Sequence, residues 1–415
     1  MKREQTVTVG LKLQQTTARQ FTSSMDELRR LVDTAGGEVV KEFSQVRDKF
    51  DPATLLGKGK IAEIAAEIKT LGVKTVIFDE NLSPAQQTNI EEIVNAKVID
   101  RTRLILDIFA QRARTREGQL QVELAQMNYM VPRITGAWRG YSQQSGGIGT
   151  RGPGERKIEV ERRYARERIK RLQTEIDELK NHRDQRRESR KDVPLPQISL
   201  IGYTNVGKST LLNTLVEETA VYADDKLFAT LDPTTRRVKL PSGRTALFTD
   251  TVGFIQKLPT SLIAAFRSTL EEAKEATLLV HLVDASAPDR KEQEKTVLDT
   301  IKELKADKIP MITVYNKMDA AQIKTKTGNG IFAISGKSGD GVPELLAAIE
   351  KKLDELLVEV TFVLPYHQRH LLSIIYNSGH ILSEKSDSKG TTLHVRMDPG
   401  NWKRLSHLLK KESAL

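Results

Sequence analysis

The apolar run Ile198-Ser199-Leu200-Ile201 passes directly into Gly202-Tyr203-Thr204-Asn205-Val206-Gly207-Lys208-Ser209-Thr210, and that loop opens onto Leu211-Leu212-Asn213. A strand, a loop with glycine at each end and Lys-Ser at its close, then a helix: this order specifies a phosphate-binding loop in an open α/β sheet. The glycines let backbone N–H groups curl around phosphate oxygens. The helix start adds positive potential, and the Lys208 ammonium reaches the β and γ oxygens.

A second apolar strand, Met311 to Tyr315, ends in Asn316-Lys317-Met318-Asp319. A carboxylate at a strand's carboxyl end can accept two hydrogen bonds from guanine, at the ring N–H and the exocyclic amine. Adenine offers neither and would leave Asp319 facing an acceptor, at a cost of roughly 1–3 kcal/mol or more. The reading is therefore a guanine nucleotide, with Asn316 at the other edge of the base and the Lys317 stem over its face. Ser335-Gly336-Lys337, after the strand Ile331 to Ile334, places backbone near the guanine oxygen.

Between these motifs lies Asp250-Thr251-Val252-Gly253, after the strand Thr245 to Thr249. Asp250 can hold Mg²⁺ through water, and the Gly253 N–H can bond the γ-phosphate. The stretch Phe228-Ala229-Thr230-Leu231-Asp232-Pro233-Thr234-Thr235 supplies a hydroxyl to complete the metal shell with Ser209. Thr230 is the expected ligand, with Thr234 and Thr235 as alternatives. The glutamine that orients the attacking water in many GTPases is replaced by Phe254. A phenyl ring cannot orient water, so no catalytic residue is assigned, and a slow intrinsic rate raised by a partner is expected.

Five elements in this order, each at a strand end, describe a GTPase domain of the translation-factor-related type. The sequence resembles the HflX family of ribosome-associated GTPases, on Gly202 to Ser209, Phe228 to Asp232, Asp250 to Phe254, Asn316 to Asp319 and a glycine-rich stretch from Gly136 to Gly154. The resemblance runs over nearly the whole chain and is least distinctive at its end. It implies nucleotide-dependent association with the large ribosomal subunit, GTP hydrolysis, and a role in ribosome splitting, rescue or assembly. It also implies that the glycine-rich loop inserts near the catalytic centre of the subunit's RNA, with Trp138, Arg139, Tyr141, Arg151 and Arg156 as contact candidates.

The residues of that loop support RNA contact independently: glycines allow close backbone approach, arginines meet phosphates, and exposed aromatics stack on unpaired bases. The net charge of +10 points to a polyanion, fitting RNA and an anionic lipid surface alike. No DNA partner is indicated, and a monomer is expected. Zero cysteines fit a cytoplasmic setting, and no run of eighteen apolar residues suggests a membrane span.

The 415 residues divide into an α/β multidomain chain. Residues 1–103 alternate strands and helices and read as a small α/β domain with a parallel sheet, its first helix capped by Ser24. Residues 104–192 read as a helical hairpin with the glycine-rich loop at 136–154. Its seams are Leu120, Leu124, Met127, Val131 and Ile169, Leu172, Ile176, Leu179, on one helix from Arg103 to about Met130 and one from Glu155 to about Lys191. Residues 193–357 form the P-loop GTPase domain, with a mixed, mostly parallel sheet, and 358–415 a small α/β domain. Gly57-Lys58-Gly59-Lys60 lacks full P-loop spacing and reads first as a helix start. Two rivals follow: an NTP-dependent rRNA remodeller with a second ATP site in the first domain, and a signalling GTPase with protein partners only.

Overall fold

The computed structural model describes residues 3–134, 153–189, 195–216, 227–228, 230–257, 273–321, 331–388 and 390–412. The alternating Thr6-Val7-Thr8-Val9 lies in β1 (Glu4–Leu13), which is buried through its middle. It pairs in parallel with β2 (Gly37–Arg47) on one side and β3 (Thr75–Phe78) on the other, and β3 pairs in parallel with β4 (Lys97–Asp100). The order is β2-β1-β3-β4.

Helix α1 (Ala18–Thr34) is capped by Thr17, seven residues before the expected cap Ser24. A capping box decides this: Thr17 takes the Gln20 N–H and the Gln20 side chain takes the Thr17 N–H, satisfying two otherwise orphaned donors. Ser24 is instead buried in mid-helix and donates to Asp79 at 2.6 Å. Helix α2 (Lys58–Leu71) ends on Gly72, whose φ of 65° is the left-handed cap that glycine adopts without strain. Pro84 opens α3 (Pro84–Val94) behind the Ser83 cap.

The helix expected from Arg103 to Met130 is two helices, α4 (Arg101–Arg112) and α5 (Arg116–Met130). The chain breaks at Ala113-Arg114-Thr115 because Asp232 accepts the Arg114 and Thr115 N–H groups, each at 2.9 Å. Leu104, Ile105, Ile108 and Phe109 are buried against the first sheet's helices, so the expected boundary at 103/104 falls inside an element of that body. Helix α6 (Pro153–Ser189) has 37 residues, roughly 55 Å at 1.5 Å per residue. Buried Leu120 and Leu172 mark its seam with α5, and an Arg168–Glu123 pair at 2.8 Å lies beside it.

Among the described residues, the GTPase domain has six strands in the order β10-β9-β8-β5-β7-β6. These are β5 (Gln197–Gly202), β6 (Thr234–Lys239), β7 (Thr245–Asp250), β8 (Leu278–Asp284), β9 (Met311–Asn316) and β10 (Ile331–Ala333). Only β6 runs antiparallel to its neighbour. Central β5 and β8 are buried without alternation because both faces are covered, as parallel sheets require, and are apolar but for residues such as Ser199 and His281. A three-stranded antiparallel sheet, β11 (Val358–Leu364), β13 (Gly390–Met397) and β12 (Gly379–Asp387), closes the chain with a helix (Pro399–Glu412).

The first body has a buried cluster of its own, around Val7, Val9, Ile61, Ile64, Val76 and Ile90, and a second cluster runs from it into the GTPase domain. Met25, Leu28, Leu31, Ile105 and Phe109 belong to one buried apolar cluster with Tyr203, Leu227, Phe228 and Phe254. At its edge Arg101 is fully buried between Glu27 and Asp79, the latter at 2.6 Å.

Candidate nucleotide site

The loop after β5 is shaped by contacts that exclude side chains. A Cβ on Gly202 would lie 2.4 Å from the Leu282 carbonyl of β8, and one on Gly207 would lie 2.5 Å from Asn316 Nδ2. Gly207 also has φ 90° and opens α7 (Lys208–Leu215). Lys208 is buried, and its Nζ donates to the carbonyls of Gly202 (3.2 Å) and Tyr203 (2.9 Å). Burial pushes Lys208 down to about 8, offset in part by Asp250. Its neighbour His281 is pushed down to about 4, by burial and then by Lys208, and so is neutral beside it.

Ser209, Thr230 and Asp250 meet at one point. Asp250 Oδ2 accepts from Ser209 Oγ at 2.6 Å and Thr230 Oγ1 at 2.8 Å, and the two hydroxyls are 2.8 Å apart. The other carboxylate oxygen, Oδ1, is buried with no hydrogen-bond partner. Burial pushes the Asp250 carboxyl up against the opposing pull of Lys208, Ser209 and Thr230. An all-oxygen set with an orphaned buried acceptor fits a hard cation such as Mg²⁺. Thr235 is spent on Thr249 across the β6–β7 pair at 2.9 Å, and Thr234 is paired in that ladder with Asp250, which leaves Thr230 as the threonine in the cluster.

Gly253 packs so closely on the loop that a Cβ would lie 2.8 Å from Thr204 Cα and 3.0 Å from Lys208 Nζ. Phe254 follows as a short bridge to the loop: its N–H donates to Gly202 O (3.1 Å) and its carbonyl accepts from Thr204 N (2.7 Å). Its ring is 2% exposed, turned into the core. Thr251 donates to Leu200 O at 2.6 Å and fixes the start of this segment, with Val252 buried beside it. Thr204 Oγ1 is a second buried polar atom without a partner at the loop.

At the base end Asp319 is exposed, with one oxygen held by Ser335 Oγ at 2.8 Å. Met318 N bonds Ile334 O, bringing the two loops together. Asn316, expected at the edge of the base, is instead a brace. Its Nδ2 donates to Val206 O (2.8 Å) and its Oδ1 accepts from Gly336 N (2.7 Å), so burial commits both ends of the amide to the protein. Lys317 has φ 62° and its ammonium pairs with Asp284 at 2.8 Å, which directs its stem. Asp284, which no motif in the sequence marks, ends β8 as Asp250 ends β7.

The segment expected to reach the nucleotide from the other side divides its duties. Phe228 stacks edge-on against Phe109 at 4.5 Å, Leu231 is buried, and Asp232 bonds the start of α5. Ala229 lies outside the described residues, as do Trp138, Arg139, Tyr141 and Arg151; Arg156 lies on α6 with its side chain outside them. Asn205 and Lys317 border a cleft of about 510 Å³ whose opposite wall is Arg19, Ser23 and Arg30 of α1. Lys60 of the Gly57–Lys60 motif pairs with Glu63 at 2.8 Å, and Gly57 N is taken by Gln45, as in an ordinary helix start.

A phosphate loop, a hydroxyl–carboxylate cluster and a carboxylate at the base end, all at strand ends of one mostly parallel sheet, define a P-loop GTPase. Family models match the chain in succession: "GTP-binding GTPase N-terminal" over 22–110, "GTP-binding GTPase Middle Region" over 112–190, "50S ribosome-binding GTPase" over 197–317 and "HflX C-terminal domain" over 320–411. The GTPase HflX of Caldanaerobacter subterraneus subsp. tengcongensis is 45% identical over 374 residues, 90% of this chain and 87% of the relative. That of Escherichia coli K12 is 41% identical over 400 residues, 94% and 93% respectively. A GTP-binding protein of Sulfolobus solfataricus, solved with GDP, is 21% identical over 85% of this chain and 99% of that one, with a TM-score of 0.44. The chain belongs to the HflX family of GTPases, and it is a GTP hydrolase.

Proposed function

We propose that this GTPase binds the large ribosomal subunit in a nucleotide-dependent way, hydrolyses GTP to GDP and phosphate in response to it, and acts in ribosome splitting, recycling, rescue under stress or biogenesis. The observation that carries the reading is Phe254. The position that orients water in many GTPases holds a ring buried in the core, so the described residues bind and orient GTP but leave the attacking water to an outside group. Lys208 and the loop N–H groups hold the phosphates, and Asp319 reads the base. Ser209 and Thr230 would hold Mg²⁺ directly and Asp250 through water; the ion would supply positive charge that offsets the negative charge of the phosphates.

The family model over the GTPase domain is described as that of a 50S ribosome-binding GTPase, which supports the subunit as the completing partner. Helix α6, roughly 55 Å long, pairs with α5 as a helical arm, and the two flank in sequence the loop bearing Trp138, Arg139, Tyr141 and Arg151, our candidates with Arg156 for contact with ribosomal RNA. Among the described residues no helix is long and apolar enough to cross a membrane. A cytoplasmic monomer is the proposed working form.

Sedimentation of the full chain with isolated large and small subunits tests this, under GTP, GDP and a non-hydrolysable GTP analogue. Pelleting with large subunits under GTP or the analogue, and not under GDP, is expected. Equal behaviour in all three, or turnover as fast alone as with subunits, overturns it.

A further inference from the structure

Thr230 and Asp232 are separated by one residue and face different parts of the molecule. Thr230 Oγ1 sits 2.8 Å from both Ser209 Oγ and Asp250 Oδ2. The Asp232 carboxylate leaves the GTPase domain altogether. It accepts the N–H groups of Arg114 and Thr115 at 2.9 Å each, and the Thr115 hydroxyl donates to its other oxygen. Thr115 is the N-cap of α5, and the same hydroxyl accepts the Gly118 N–H at 3.0 Å.

The first turn of the arm is thus capped in relay, from Gly118 through Thr115 to a carboxylate on another domain. Negative charge at this end of a helix is favourable, because the unsatisfied N–H groups there carry partial positive charge. Gly118 is what admits the carboxylate, since a Cβ there would lie 2.4 Å from Asp232 Oδ1. The rest of the segment is anchored on the first body, by Leu227 N to Thr34 Oγ1 at 3.3 Å and by the Phe228–Phe109 contact. A displacement of Thr230 therefore has a short path to the start of α5, the break at residues 113–115, while the far end of α5 is held on the first body by Tyr129 to Asp100 at 2.9 Å.

We infer that Asp232 is a positioning residue that couples occupancy of the Thr230 metal position to the start of α5, and so to the set of the helical arm. When Thr230 is drawn to the metal of bound GTP, Asp232 is held on the Arg114 and Thr115 N–H groups; when it is released, those N–H groups and the Thr115 cap lose the carboxylate that holds them. By linkage, whatever grips the arm in its capped setting also favours GTP over GDP at the site. The inference rests on the proposed role of Thr230 as a magnesium ligand and is independent of the identity of the arm's partner.

Amide hydrogen exchange on the full chain, with Mg²⁺ and either GDP or a non-hydrolysable GTP analogue, tests it. Residues 114–119 are expected to exchange about tenfold more slowly with the analogue, within the usual range for such couplings. Asp232→Asn and Gly118→Ala are each expected to abolish that difference while leaving GDP affinity within about twofold. Gly118→Ala separates coupling from folding, because alanine favours the helix itself while obstructing the carboxylate. Equal exchange in the two nucleotides in the native protein, or a nucleotide difference retained by both variants, overturns the inference. Thr230→Ala tells the two failures apart. If it leaves Mg²⁺-dependent binding of the analogue unchanged, the metal role fails and the coupling with it. If it abolishes that dependence while residues 114–119 still respond to nucleotide, the coupling alone is overturned.

Discussion

The hydroxyl of Tyr203, in the loop that cradles the phosphates, donates to the carboxylate of Glu27, on the first helix of the chain. The same oxygen accepts the Gln256 N–H at 2.7 Å, two residues beyond Phe254. One phenol therefore joins the phosphate loop, the segment that follows Gly253 and the N-terminal body. Lys257, next in sequence, pairs with Asp79 and with Glu80 at 2.6 Å, so the segment has two fastenings to that body.

Tyr203→Phe removes this junction and leaves the buried Glu27 carboxylate and the Gln256 N–H each short of a partner. A loss of about 1–3 kcal/mol is expected. Urea denaturation of the GDP complex measures it, and a midpoint unchanged from the native protein would count against the junction.

Arg101→Ala leaves Glu27 and Asp79 buried with their shared cation gone. Removing one partner of a buried ion pair costs about 3–5 kcal/mol, far more than an exposed pair such as Arg3–Asp33 contributes. Comparing thermal unfolding of Arg101→Ala and Arg3→Ala checks the contrast: a large fall in the first and almost none in the second.

Nucleotide affinity is expected to fall with rising pH above about 8. Burial holds Lys208 at about 8, and phosphates beside it favour the charged form, so binding takes up a proton once the free lysine is neutral. Affinity should be level from pH 7 to about 8 and then decline, approaching about tenfold per pH unit. Fluorescent GDP titrations between pH 7 and 9 would show it; a level profile would mean that Lys208 stays charged in the free protein.

Phe254→Gln restores the side chain found in many GTPases but is not expected to restore rapid turnover. The ring lies in the core, so an amide there is buried away from the phosphates and costs about 1–3 kcal/mol if unpaired. Single-turnover hydrolysis without any partner should stay at or below the native rate. A rise of tenfold or more would show that the segment turns outward readily.

Asp319→Asn exchanges an acceptor of two hydrogen bonds for a group with one acceptor and one donor. GDP affinity should drop by at least about tenfold, while ADP, whose ring nitrogen can accept from the Asn amide but which offers no hydrogen to its carbonyl, should gain far less than GDP loses. Competition binding with the two nucleotides measures both effects.

The phosphate loop, Asp250 and Asp319 were legible in the sequence because each sits where an apolar strand ends, and spacing along one chain segment is enough to place it. Ser24 misled because it has the right chemistry for a cap, while Thr17 and Gln20, three residues apart, hold the reciprocal pair. The break at Ala113-Arg114-Thr115 carries no glycine or proline and could not be read locally. Its cause, Asp232, is distant in sequence and meets it only in the folded chain. Asn316 belongs to the same class: the motif placed it at the site, but its partners Val206 and Gly336 come from two other loops.

The apolar cluster that runs from Met25 and Phe109 into Tyr203, Leu227 and Phe228 makes this a poorly modular molecule. Excising residues 193–357 would lay bare a greasy flank and strip Tyr203 and Lys257 of their acidic seats, so a fragment would report its own wound as readily as the activity of the intact enzyme. Comparisons of whole chain with isolated domain are better replaced by point changes at Glu27, Asp79 and Thr34, which open the seam without cutting the chain.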